Sequence, residues 1–293
     1  MDNYKELISL RQKVDSALDG YFTAPCTQKR LLDAMRYSLL AGGKRIRPIL
    51  LLKFCQAAGG DMEKAMPAAC AVEMLHTYSL IHDDLPCMDN DELRRGMPTN
   101  HVVYGECTAT LAGDALQAAA FHTLLSSGLD DYARAEMGRV FALAVGEMGM
   151  CGGQMLDTAE TGEEQTVERL TEISRLKTGA LLRAACVMGV LAAGCRADDK
   201  RVKAASEYAA CLGLAFQIRD DVLDAESTTE TLGKPVGSDV QCGKVTFYSL
   251  LGSRECARLI AGYTAAAKAA LKEGFGDAPF LEWLADELAG RTK

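Results

Sequence analysis

Almost every stretch of this chain spaces its apolar residues for a helix, and none alternates them as a strand would. Leu31, Leu32, Met35, Leu39 and Leu40 form one stripe at i, i+3 and i+4. Leu111, Ala115, Leu116, Ala119 and Leu124 form another, and Val167, Leu170, Ile173 and Leu176 a third. That period places each set on a single helical face. Glycines punctuate the stripes at Gly42-Gly43, Gly59-Gly60, Gly152-Gly153, Gly162, Gly194 and between Gly233 and Gly237. Roughly ten to twelve helices result, with no low-complexity linker between them. The expectation is an all-α fold, a single domain over residues 1–293 built as a large helical bundle.

Composition narrows the function. A formal charge of −8 argues against nucleic acid, which calls for a basic face. The opening MDNYKELISLRQKVDSALDG reads as a charged amphipathic helix, not a signal peptide. The apolar stretch Ala180–Ala193 is broken by Arg183 and is too short to span a bilayer. Eleven cysteines are scattered without a C-x-x-C pair, as in a reducing compartment, so neither disulfides nor zinc is indicated and the expected location is cytoplasmic.

Against this background two aspartate clusters stand out: Asp83-Asp84 with Asp89 and Asp91, and Asp220-Asp221 with Asp224. Crowded carboxylates repel one another and raise each other's pKa unless a cation sits among them. One such cluster reads most simply as a solvated helix end. Two of them, each followed by basic residues, point to divalent metal and a strongly anionic ligand. In the second cluster Gln217, Asp220, Asp221 and Asp224 are expected to share one helical face. They occupy the last turns of that helix, where the dipole disfavours negative charge; Mg²⁺, which takes oxygen ligands and shares them with phosphate, would offset this. In the first cluster Pro67 is expected to open the helix, and Pro86 to end it so that Asp89 returns on a turn.

Basic residues gather nearby. Arg94-Arg95-Gly96 follows the first acids and suits bidentate phosphate contact. Gly42-Gly43-Lys44-Arg45-Ile46-Arg47-Pro48 joins two helices, with Gly43 a natural C-cap and three cations that read equally as an anion cradle or as a plain solvated loop. His76 lies near the stripe that leads to Asp83, where a histidine is more often a core residue than a functional one. Lys177 sits in an otherwise apolar helix, where burial favours an anionic partner, though the side chain could also snorkel to water. Lys234 lies in the Gly/Pro loop after the second cluster, and Lys244 follows. With no G-x-x-x-x-G-K-[ST] loop and no G-x-S-x-G elbow, a Mg²⁺ clamp on a diphosphate leaving group fits best.

The segments GGKRIRP (42–48), LIHDDLPCMDND (80–91), LRRG (93–96), GDAL (113–116), GGQMLD (152–157), KTGAL (177–181), FQIRDDVLD (216–224) and LGK (232–234) resemble those of trans-isoprenyl diphosphate synthases. The likeness runs in order from about Leu31 to Leu251, and the first motif is similar to that of the short-chain bacterial and plant-plastid branch. It implies a homodimeric all-α enzyme with helices around a central cavity, condensing an allylic diphosphate with isopentenyl diphosphate head to tail. It implies that Asp83, Asp84, Asp89, Asp220, Asp221 and Asp224 hold about three Mg²⁺ ions, with Mn²⁺ a possible substitute. Arg94, Lys177 and Lys234 would contact the allylic diphosphate, and Lys44, Arg47, His76 and Arg95 that of isopentenyl diphosphate. Thr178 and Gln217, with Lys177, would flank the reacting carbons. Tyr78 and Ser79, upstream of Asp83, would limit chain length, and the aromatic Tyr78 goes with a farnesyl product; PCMDND instead looks like plant geranylgeranyl enzymes. Glu92 stands where many relatives carry another Asp.

Other readings fit less well. A terpene cyclase has no isopentenyl site, and it usually replaces the second Asp-rich motif. A ferritin-like di-iron bundle needs two Glu-x-x-His motifs, and only Glu73–His76 matches. Asp89-Asn90-Asp91 lacks the glycine and distal Glu of an EF-hand loop. A non-catalytic scaffold needs neither acidic cluster.

Overall fold

A computed structural model describes residues 2–158, 165–226 and 245–291. Among them the only strands are the two-residue pair β1 (Leu93–Arg94) and β2 (Met97–Pro98). If the single-turn helix Asn100–Tyr104 is left out, and Val167–Ser174 and Ala180–Ala192 are joined through the π-helical turn between them, the described residues hold 11 helices, within the expected range. None is long and apolar enough to cross a membrane, and none of the ten described cysteines is in a disulfide. The residues fall into two compact units, Met1–Arg139 with Met188–Gly194, and Val140–Val187 with Cys195–Lys293.

The first unit contains α1 (Asn3–Asp19), α2 (Lys29–Leu39), α3 (Ile46–Ala57), α4 (Met62–Asp83), α5 (Asn100–Tyr104), α6 (Glu106–Leu125) and the start of α7 (Asp131–Val145). Its centre is α4, packed on α3 and α6. Ala68, Ala69, Ala71, Val72, Met74 and Leu75 are all fully buried, so α4 is apolar all round and not striped. Pro67 does not open this helix. The carboxylate of Asp61 accepts from the amide of Glu63 at 2.9 Å and starts α4 at Met62, leaving Pro67 inside it. The alanine-rich α4 also admits close neighbours. A Cβ at Gly113 of α6 would run into the His82 ring, so glycine leaves room for that ring where it stands.

The second unit holds α8 (Met150–Thr158), α9 (Val167–Ser174), the π-helical turn Arg175–Gly179, α10 (Ala180–Ala192), whose last turns lie in the first unit, α11 (Lys200–Glu226), α12 (Phe247–Phe275) and α13 (Pro279–Gly290). The long α11 packs mainly on α12, which is interrupted at Gly252 with φ 75°. Fully buried Tyr208 donates its hydroxyl to the Leu281 carbonyl at 2.9 Å, satisfying its polar end inside the core. Leu170, Ile218, Val222, Phe247, Cys256 and Ile260 form the apolar bed beneath the acidic end of α11.

Candidate active site

In the first unit the acids sit where α4 stops. Asp83 is its last residue and Asp84 its C-cap. Pro86 turns the chain as expected: the Asp89 amide bonds back to the Asp83 carbonyl at 2.8 Å, and Asn90, at φ 54°, bonds to Leu85. The following RRG forms a hairpin. Arg95 and Gly96 both have positive φ, 54° and 77°, which a tight two-residue turn requires. Thr99 closes it, its amide on the Glu92 carbonyl at 3.0 Å and its hydroxyl on that of Asp91 at 2.7 Å.

This hairpin sends its two arginines in different directions. Arg94 Nε reaches both oxygens of buried Asp84 at 2.7 and 2.9 Å, and Nη2 reaches Asp91 at 3.4 Å. Burial raises the Asp84 pKa, and Arg94 pulls against that shift. Arg95 donates to the Gly42 carbonyl and covers Gly43, where a Cβ would lie 2.8 Å from the guanidinium carbon. Gly43 is therefore the seat of Arg95 and not a helix cap: α2 ends at Leu39, capped by Leu40.

The GGKRIRP cations also divide. Arg45 is left-handed at φ 53° and buried, with ion pairs to Glu73 at 2.6 Å and Asp15 at 2.8 Å. It belongs to the fold, which corrects the reading of three equivalent cations. Lys44 is exposed. Arg47 Nη1 lies 3.3 Å from His76 Nε2, while Arg47 Nε is buried with no hydrogen-bond partner. Burial and the Arg95 charge push the Arg47 guanidinium down, with Glu73 opposing. Burial first, then Arg47, Arg95, Arg45 and Arg94, hold His76 neutral, well below its ordinary value. Positive charge here exceeds its local compensation, as an anion-binding site requires.

Tyr78 is buried, its ring edge-on to that of His82 at 5.3 Å and 88°. His82 Nε2 lies 3.0 Å from the Thr110 carbonyl. Ser79 turns its hydroxyl to the His76 carbonyl at 2.9 Å.

In the second unit a cleft of about 510 Å³ is lined by Asp157, Ser174, Lys177, Thr178, Gln217 and Asp221, over Leu170, Ile173 and Phe247. Lys177 Nζ meets Asp157 at 2.6 Å, the anionic partner its setting called for. Thr178 donates to Gln217 Oε1 at 3.4 Å, and Gln217 Nε2 to Asp221 Oδ1 at 3.0 Å. Asp221 Oδ2 accepts from the Phe247 amide at 2.8 Å, at the start of α12. The expected common face thus splits, because Asp221 turns to that helix N-terminus, with each of its oxygens keeping a second lone pair for a metal.

Asp220 pairs with Arg291, whose guanidinium lies 3.9 Å from the Phe216 ring centroid. Asp224 is buried with Oδ1 unpartnered. An orphaned carboxylate oxygen beside a half-exposed aspartate suits a hard divalent cation. Among the described residues no three carboxylates, imidazoles or thiolates converge on one point. A cation here would therefore complete its shell with water and substrate oxygen, as Mg²⁺ does. Lys234 lies outside the described residues. Sequence reasoning assigned no role to Asp157 or Arg291; GGQMLD carried the only signal for Asp157, four residues past Gly153.

An all-α fold carrying two separate aspartate-rich helix ends, each with cations, defines an enzyme for anionic substrates. The chain matches the polyprenyl synthetase family over residues 28–271. It is 49% identical over 263 residues to geranylgeranyl pyrophosphate synthase 9, chloroplastic, of Arabidopsis thaliana, covering 86% of this chain and 71% of the relative. It is 44% identical over 286 residues to farnesyl diphosphate synthase of Geobacillus stearothermophilus, covering 96% and 95%. The apo crystal structure of an FPP/GFPP synthase from Zymomonas mobilis superposes with a TM-score of 0.87 at 34% identity, over 99% of each chain. The chain belongs to the polyprenyl synthetase family and is a prenyltransferase of the head-to-tail type.

Proposed function

We propose that this enzyme condenses dimethylallyl and then geranyl diphosphate with isopentenyl diphosphate to give farnesyl diphosphate. Buried Tyr78 carries the product assignment. It lies five residues before Asp83 on α4, about 7–8 Å down the helix, so a prenyl chain anchored at the aspartates would meet it within a few isoprene carbons. Its contact with His82 limits how far the ring can move aside. The farnesyl diphosphate synthase of Geobacillus supports this product. The second reading, a geranylgeranyl product, is favoured by the PCMDND stretch and the Arabidopsis relative; a geranyl product is a further alternative.

Mg²⁺, when bound, would neutralise the diphosphate as it departs with the bonding electrons. Asp83, Asp84 and Asp89 of the first unit, and Asp220, Asp221 and Asp224 of the second, would supply protein oxygens to about three such ions. Arg94, Lys177 and Lys234 would bind the allylic diphosphate, and Arg47, with Lys44, His76 and Arg95, that of isopentenyl diphosphate. The unpartnered Arg47 Nε supports this last assignment. Thr178 and Gln217 line the cleft beside Lys177, where their dipoles can orient an allylic carbon as positive charge develops. A cytoplasmic homodimer belongs to the same proposal; two-fold dimers are the commonest assembly, and ten described cysteines outside any disulfide suit a reducing compartment.

Product analysis with dimethylallyl diphosphate, isopentenyl diphosphate and Mg²⁺ tests the assignment. A mainly fifteen-carbon product is expected, and a mainly twenty-carbon product would select the second reading. Unchanged turnover in EDTA, or in both Asp83→Ala and Asp220→Ala, would remove metal from the proposal.

A further inference from the structure

The π-helical turn that carries Lys177 and Thr178 is fitted against α8 by a missing side chain. A Cβ on Gly153 of α8 would lie 2.2 Å from the Lys177 amide nitrogen and 2.7 Å from its Cα. A Cβ on Gly213 of α11 would make only an ordinary contact with Gly179 Cα, at 3.4 Å, so the close fit is to α8. The backbone that bears Lys177 therefore rests directly on α8. Gly153 and Asp157 are one helical turn apart and project from the same face. The first seats the Lys177 main chain, and the second takes its ammonium at 2.6 Å. The Asp157 side chain is only 13% exposed, so this pair is shielded more than a surface ion pair. π-turns recur at functional sites because the extra residue re-aims side chains.

We propose that Asp157 is a positioning residue: with Gly153 it fixes where the Lys177 ammonium stands relative to the departing diphosphate. The inference rests on the reading that Lys177 contacts that diphosphate. Asp157 offsets the charge of Lys177, so it does not strengthen attraction for an anionic substrate. Its contribution is orientation, which is felt where charge develops in the transition state more than in initial binding.

A double-mutant cycle on the full-length enzyme separates this from a structural role. Asp157→Ala should lower kcat about 10- to 100-fold while KM for geranyl diphosphate changes less than about threefold. Asp157→Asn keeps the shape and an acceptor, and should fall between this variant and wild type. On a Lys177→Ala background, Asp157→Ala should cost less than a further factor of about two, because the residue it acts through is gone. Full additivity of the two losses would overturn the inference, as would a rise in KM as large as the fall in kcat. Should Asp157→Ala fail to fold, the same cycle with Asp157→Asn decides by the same criterion. If Lys177→Ala alone turns over normally, the role given to Lys177 fails first and the inference falls with it.

Discussion

Arg45 and Glu73 form a buried ion pair at 2.6 Å, both side chains almost wholly withdrawn from solvent, and this pair locks the connector before α3 onto the middle of α4. Asp15 of α1 and the Leu39 carbonyl complete the shell around the guanidinium. Removing one member leaves a buried charge uncompensated, at a cost of about 3–5 kcal/mol. Arg45→Ala should therefore lower the urea midpoint steeply, and Glu73→Ala likewise. A midpoint that stays within the range of ordinary surface substitutions would show that the pair does not carry this load.

Two residues further on, Arg47 should behave in the opposite way. Its Nε has no partner to lose and its charge is undercompensated, so Arg47→Ala should leave the urea midpoint unchanged or higher. Loss of a charged hydrogen bond, about 1.5–3 kcal/mol, should raise KM for isopentenyl diphosphate by roughly one to two decades. KM for the allylic substrate should move far less. Equal rises in both would refute the division of the two diphosphates.

Burial of His76, and then the positive field around it, make stability depend on pH. Its folded pKa lies well below the ordinary 6.5, so below that pH the unfolded chain takes up a proton that the folded one refuses. Stability contributed by neutral His76 is therefore complete above pH 6.5 and is lost as pH falls, by up to about 1.4 kcal/mol per unit. Urea titrations at pH 7, 6 and 5 should show a flatter decline in His76→Gln than in wild type. Parallel declines would mean that His76 titrates normally.

Tyr78→Ala should open the space below Asp83 and shift the product toward twenty carbons or longer. His82→Ala, which removes the ring against which Tyr78 stands, should move the product the same way by a smaller amount. Chromatography of the dephosphorylated products reads both; an unaltered distribution in Tyr78→Ala would show that this ring is not the floor.

Helix content was legible because it depends on neighbours three and four residues away, and the stripe at Val167, Leu170 and Ile173 is now α9 with its Thr166 cap. The two acidic helix ends were legible for the same reason, as was the turn at Pro86. Charge identity was readable but charge partnership was not. Lys44, Arg45 and Arg47 look alike in a linear chain, yet Arg45 is buried on Glu73 while Arg47 stands beside His76. Asp221 reads as one of three equal carboxylates until Phe247, 26 residues away, claims it through a backbone amide. Twenty residues separate Lys177 from Asp157, and only packing of the π-turn on Gly153 brings them together. Which segments coil, and where carboxylates and cations concentrate, follows from the unfolded chain alone, because propensity, period and composition are local. Which charges serve the fold and which stay available to a ligand emerges on folding, because that choice depends on burial and long-range contact.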